Sequence, residues 1–265
     1  MSQSKSDIPT LAGMAAVVFT FTTLMHEGLG HGGACLAIGA HPVAWGAYYF
    51  DCDTHAGPAW KWQAVAAAGS TVNLILCVLS YAALKAALVK GARGTFALFL
   101  WLMFVLDGFT WAGYFLFSGI AGIGDWGPGP ENVLDGVANP MVWRGVMAVV
   151  GALLYFLIGR AGGRLRGQIT GGDKAAGRRI STVFYISGGI VAVMVGLLNP
   201  LGLEIVLISS VASSFGGASG LMWLPGFIRI EDGATYSVKR NWLWVVAGIA
   251  AAAAYGLILG PTIKL

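Results

Sequence analysis

Seven apolar runs divide this chain, at 11–38, 62–84, 95–120, 141–159, 180–198, 203–224 and 242–260. Each approaches the roughly 20 residues that a helix needs to cross the hydrocarbon core of a bilayer. Few folds are open to such a chain. Within lipid every backbone N–H and C=O has to find its partner inside the protein, which leaves helices and closed β-barrels. The runs are long and unalternating, unlike barrel strands. The expectation is an all-α polytopic membrane protein with about seven transmembrane helices, its outer faces against the lipid bilayer. Composition agrees: 57% of residues are hydrophobic and 11% charged, where a soluble domain carries about 25% charged.

The connections sharpen this layout. Residues 43–50 have strand-like composition and lead into the turn sequence Asp51-Cys52-Asp53-Thr54, so a small hairpin is expected after the first span. A second is expected around Asp232-Gly233, after the sixth. The first apolar run is too long for a signal-peptide core and holds ionisable residues, so it reads as a span. Lys and Arg gather after spans two, four and six. The segment 160–179 alone holds Arg160, Arg164, Arg166, Lys174, Arg178 and Arg179 against the acid Asp173. By the positive-inside rule these loops are cytoplasmic. That places the N-terminus in the cytoplasm and the C-terminus outside, across a plasma (inner) membrane. The net charge of +4 is accounted for by these loops, and nucleic acid is not an expected partner. Cys35, Cys52 and Cys77 are odd in number and widely spaced; they read neither as a zinc set nor as a disulfide framework.

Function points to the first run. Met25-His26-Glu27-Gly28-Leu29-Gly30-His31-Gly32-Gly33 sets two imidazoles and a carboxylate in the middle of an apolar span. Ionisable groups at that depth cost a few kcal/mol each on insertion scales and mark functional sites by default. Asn73 falls near the middle of the second span and Asp107 near the middle of the third, so antiparallel helices bring His, Glu, Asn and Asp to one level. Imidazole and carboxylate together suit Zn²⁺, and a glutamate beside a zinc-activated water can take its proton. The spacing is unusual. His26 and His31 are five apart, roughly 140° on a regular α-helix, and cannot hold one ion there undistorted. Either the glycine-rich turn opens into a π-bulge that brings i and i+5 together, the preferred reading, or Glu27 and His31 form the helix-face pair with His26 behind them. Plain helix packing through Gly28 and Gly32 is the structural alternative. Asp125 competes with Asp107 as the third ligand, because Gly122 and Gly124 can bend the chain inward; otherwise it is an outer-loop acid. His41, Asp51, Asp53 and His55 read as solvated loop residues, and Glu204 as interfacial.

The set resembles the site-2 protease family of intramembrane zinc metalloproteases. His26-Glu27-Gly28-Leu29-Gly30-His31 is similar to its first-span His-Glu-x-x-His element, with one residue more. Ala68-Gly69-Ser70-Thr71-Val72-Asn73 is similar to its Gly-Pro-x-x-Asn-like element, with Ser70 in place of proline. Leu106-Asp107-Gly108 is similar to its Leu-Asp-Gly element. The likeness covers about residues 15–125. It implies a metalloprotease-like three-helix core at 11–125, supported by helices at 141–260 within a single membrane domain spanning 1–265. It further implies Zn²⁺ held by His26, His31 and Asp107, Glu27 activating water, and Asn73 holding substrate or the developing oxyanion. The substrate would be a transmembrane protein. Two other functions fit the same residues. One is a proton- or cation-coupled transporter using Glu27, His31 and Asp107; the other is a catalytically inactive protease-like membrane protein.

Overall fold

The computed structural model of the chain describes residues 6–54, 57–203, 206–227 and 235–265. Among them are seven helices long and apolar enough to cross a membrane: α1 (Ile8–Ala37), α2 (Trp60–Val89), α3 (Thr95–Ala121), α4 (Pro140–Thr170), α5 (Lys174–Gly196), α6 (Val206–Phe227) and α7 (Trp242–Leu259). This is an all-α, multi-pass membrane protein with little sheet.

Local chemistry sets the helix ends. Asp7 caps α1 by accepting from Thr10 N at 3.0 Å, and Asp173 caps α5 by accepting from Ala176 N at 2.9 Å. α3 stops where Gly122 takes a left-handed conformation (φ 72°), and α4 stops at Gly171 (φ 60°). α4 runs well past the span expected to end at residue 159. Arginine is a good helix former and nothing breaks the helix before Gly171, so Arg160, Arg164 and Arg166 are helical rather than in a loop. Arg166 is fully buried, with its guanidinium 5.4 Å over the Trp101 ring.

α3 is the central post. Leu98, Trp101, Leu102, Val105 and Phe109 on it have no solvent exposure. It packs against α2 on one side and α4 on the other, while α1 packs against α5 and α7. Between helices in lipid the attraction comes from close van der Waals contact, which small residues permit. Gly119 abuts Ala148 and Gly151 abuts Leu116 where α3 crosses α4. The outward faces stay apolar: Val149, Leu153, Leu243, Val246 and Ile249 are exposed, as lipid-facing side chains should be.

The hairpin after α1 is present. β1 (His41–Gly46) and β2 (Tyr49–Asp53) pair antiparallel, with Trp45 opposite Phe50 and an irregularity between Pro42 and Ala44. A third strand joins them: β3 (Ile263–Lys264), from the C-terminal tail, pairs with β1 in the order β2-β1-β3. The turn is tied to the bundle by Tyr48, whose hydroxyl donates to Ala192 O at 2.8 Å. A disulfide joins Cys35, at the end of α1, to Cys52 on β2. The expectation of no disulfide is therefore corrected: the odd cysteine is Cys77, buried in α2, and it masked a pair that the α1–hairpin fold brings together. The turn expected at Asp232-Gly233 lies outside the described residues, and 235–241 contain no strand.

Candidate metal centre

α1 is not a uniform helix. It is α-helical to Leu24, π-helical over Met25–Gly32, and α-helical again over Gly33–Ala37. The wider π turn bonds i to i+5, which turns two histidines five apart onto one side. Their rings meet edge to face with centroids 4.9 Å apart, and their Nε2 atoms stand 3.2 Å apart. The glycines of this segment admit its neighbours rather than a partner of the Gly28/Gly32 kind. Gly30 lies on the backbone of Gly69 in α2, while Gly28 and Gly32 lie under the Trp45 and Phe50 rings of the hairpin.

The remaining nitrogens are fixed from behind. His26 Nδ1 lies 2.6 Å from Asn73 Oδ1, and Asn73 Nδ2 donates to Asp107 Oδ1 at 2.9 Å. The amide thus turns its oxygen to His26, and Nδ1 must be the donor. His31 Nδ1 lies 2.7 Å from the Val65 carbonyl, which can only accept, so it also donates. With both Nδ1 atoms protonated, each neutral ring presents a bare lone pair at Nε2.

Asp125 completes the group. Its Oδ2 lies 3.3 Å from His26 Nε2 and 3.5 Å from His31 Nε2. That oxygen is buried and makes no hydrogen bond. Asp125 reaches inward because Gly122 and Gly124 both take positive φ beyond the end of α3. Its neighbour Trp126 anchors the bend by donating Nε1 to Ser70 Oγ at 2.9 Å. Three electron-rich atoms therefore converge on one point, which is unfavourable unless a cation sits there. Tetrahedral zinc with ligands at 2.0–2.2 Å separates them by about 3.4 Å, and the observed 3.2, 3.3 and 3.5 Å match. A Cβ on Gly69 would fall 2.5 Å from His26 Nε2 and 2.6 Å from His31 Nε2, so glycine keeps this cradle open. Two imidazoles and one carboxylate form a catalytic-type donor set with one position to spare, and the residues fit zinc.

Glu27 is buried, with Oε2 4.0 Å from His31 Nε2. It lines a cavity of about 1000 Å³ that also meets His26, His31, Asp125 and Tyr114, and extends between α3, α4, α6 and the hairpin. Two expected roles change. Asp107 is not brought to the imidazoles: it stands behind Asn73. Asn73 is fully buried, does not line the cavity, and has both ends of its amide engaged, so it orients His26 rather than facing a substrate. Among the described residues, His41, Asp51 and Asp53 do not join a metal-binding group; His55 and Glu204 lie outside those residues. Three site residues escaped sequence reasoning. Ser70 and Trp126 hold the Asp125 bend. Tyr114 stacks on His26 with centroids 4.8 Å apart and planes 15° from parallel. Tyr114 is seven residues from Asp107, hence on the same face of α3, and that spacing was the available signal.

Comparison with known proteins finds no match to a family model, a curated protein or a solved structure.

Proposed function

We propose that this chain is an intramembrane zinc-dependent endopeptidase of the site-2 protease type, hydrolysing peptide bonds of membrane-embedded protein substrates. The supporting observation is the convergence of His26 Nε2, His31 Nε2 and Asp125 Oδ2 on one point, with the Glu27 carboxylate 4.0 Å from His31 Nε2. Zinc held by those three residues supplies Lewis-acid activation of water. Glu27 takes the proton from the attacking water oxygen as that oxygen bonds to the peptide carbonyl carbon. The carbonyl electrons move onto its oxygen. As that oxyanion collapses and the C–N bond breaks, Glu27 returns the proton to the departing nitrogen. Asp107 holds Asn73, and Asn73 holds the His26 ring in the tautomer that leaves Nε2 free. The aromatic and aliphatic walls of the cavity admit an apolar segment and limit bulk water.

The proposed setting is the plasma (inner) membrane with the N-terminus cytoplasmic and the hairpin and C-terminus outside. The loop charges support it, and so does the Cys35–Cys52 disulfide on the hairpin side, since disulfides persist in oxidising compartments.

Metal analysis and cleavage of an internally quenched transmembrane peptide test the proposal. The purified chain should carry about one zinc, and Glu27→Gln should keep the metal while losing cleavage by at least about 100-fold. A metal-free wild type would defeat the peptidase reading. Glu27-dependent ion flux in liposomes without peptide cleavage would replace it with a transporter.

A further inference from the structure

Hydrolysis in this cavity places a full negative charge on the carbonyl oxygen next to apolar walls. Such a charge needs a preorganised donor. Asn73 cannot serve, because its carboxamide is engaged at both ends and lies away from the cavity. Thr22 Oγ1 has no partner but is itself sealed from the cavity surface, and four other hydroxyls on the cavity wall give their protons to protein acceptors. Thr23 donates to Phe19 O at 3.0 Å and Thr110 to Leu106 O at 2.9 Å. Tyr48 donates to Ala192 O at 2.8 Å and Tyr49 to Thr262 Oγ1 at 2.9 Å. Tyr114 differs. It lines the cavity beside His26, Glu27, His31 and Asp125, and its hydroxyl makes no hydrogen bond among the described residues.

The geometry points to Tyr114 as the catalytic donor that hydrogen-bonds the carbonyl oxygen as the peptide bond is attacked, an inference that rests on the peptidase reading above. The placement supports it in two ways. The ring is stacked on the His26 ring, so the phenol is held in one orientation before substrate arrives. Tyr114 also lines the same cavity as Asp125 and Glu27, the cavity in which the peptidase reading places the attacking water. The chemistry balances without a proton leaving tyrosine. The water proton passes to Glu27 and then to the leaving nitrogen, the carbonyl electrons go to oxygen and return, and Tyr114 only donates its O–H to that oxygen while it is charged. A phenol suits this role, because its ordinary pKa of about 10 keeps the proton on it at neutral pH.

Tyr114→Phe in the full-length, zinc-loaded chain is the test, because it removes the hydroxyl and keeps the stacked ring. Zinc stoichiometry, the visible spectrum of the cobalt-substituted protein and thermal stability should match wild type. With an internally quenched transmembrane peptide, kcat should fall about 100-fold and KM should hold, the pattern of a contact made only in the transition state. Affinity for a phosphinic peptide, whose tetrahedral phosphorus oxygen mimics the charged oxygen, should fall in step. Unchanged kcat in Tyr114→Phe beside an active wild type overturns the inference and leaves the peptidase reading standing. Parallel loss of zinc and kcat also overturns it, by making Tyr114 a support for His26. A wild type that binds no zinc and cleaves nothing removes both.

Discussion

The sharpest test of the centre is a single methyl group. In Gly69→Ala the new Cβ falls 2.5 Å from His26 Nε2 and 2.6 Å from His31 Nε2. Ordinary contact between such atoms is about 3.5 Å, so each imidazole must retreat by about 1 Å or α2 must shift away. Neither retreat is cheap. Both Nδ1 atoms are tied, to Asn73 Oδ1 at 2.6 Å and to Val65 O at 2.7 Å, and α2 already touches α1 backbone to backbone at Gly30. Metal–ligand distances tolerate only about 0.2 Å. Disturbing groups that merely orient ligands weakens metal binding 10–100-fold, so displacing two ligands together should lose at least about 100-fold, or about 2.7 kcal/mol. The assay is zinc per chain by plasma mass spectrometry after dialysis against a graded zinc buffer, with thermal unfolding alongside. Gly145→Ala is the control: it also lies in a spanning helix, but its Cβ meets nothing within 4 Å. It should keep its zinc and gain slightly in stability, about 0.5–1 kcal/mol from helix propensity. Wild-type zinc affinity in Gly69→Ala would refute the convergence of the two imidazoles on one ion.

Three further outcomes are expected. Asp125→Ala should abolish high-affinity zinc binding, whereas Asp107→Ala should weaken it only 10–100-fold; the reverse order in a competition titration would restore Asp107 as the ligand. Unfolded under non-reducing conditions, the chain should take up maleimide at Cys77 alone, and at all three cysteines after reduction. Losing the Cys35–Cys52 link, which joins residues 17 apart, should destabilise the hairpin side by about 3 kcal/mol; three labels without reduction would exclude the bond. The hydrogen bond from Arg240 holds the Asp7 carboxyl down at about 2, from an ordinary 3.8. A depressed carboxyl contributes stability that is present above its ordinary value and lost as pH falls through the depressed one. The melting-temperature gap between wild type and Arg240→Gln should therefore be constant at neutral pH and close between about pH 4 and 2; a gap unchanged at pH 2 would contradict the pairing.

Much of this was legible because lipid punishes the alternatives. Long apolar runs have to be helices, and a His-Glu pair inside one has to have a reason, so the spans and the His26–Glu27–His31 cluster are readable from composition and depth. The five-residue spacing, taken with Gly28, Gly30 and Gly32, pointed to the π turn. What escaped depends on long-range packing. Depth favoured Asp107 over the loop residue Asp125, because nothing local says that Asn73 stands between Asp107 and the imidazole. Tyr114 is one aromatic among 31, counting Phe, Trp and Tyr; its spacing from Asp107 gave its face of α3, but its stacking on His26 is what singles it out. The two-residue β3 carries no pattern of its own; it exists because β1 offers an edge. The length of α4 was missed because charge was read as a helix end, although charge does not break a helix; α4 ends only where Gly171 takes a left-handed conformation.

The extra residue between Glu27 and His31 and the retreat of Asp107 have one geometric cause. An imidazole offers its two nitrogens on opposite sides of the ring. In the π turn His26 directs Nδ1 into the α2–α3 interface, where Asn73 and Asp107 lie, and Nε2 toward His31. A carboxylate serving the Nδ1 side cannot also reach the point that Nε2 faces. The third ligand has to approach from the other side, and the chain supplies it only after α3 has ended, through the bend at Gly122 and Gly124. The candidate centre thus brings together two donor atoms from a helix and one from a loop. The loop ligand depends on the Trp126–Ser70 hydrogen bond for its place. Ser70 stands where the family it resembles commonly has proline, which has no donor or acceptor side chain. Under the proposed reading, the residue that departs from that family's motif is the one that anchors the Asp125 bend.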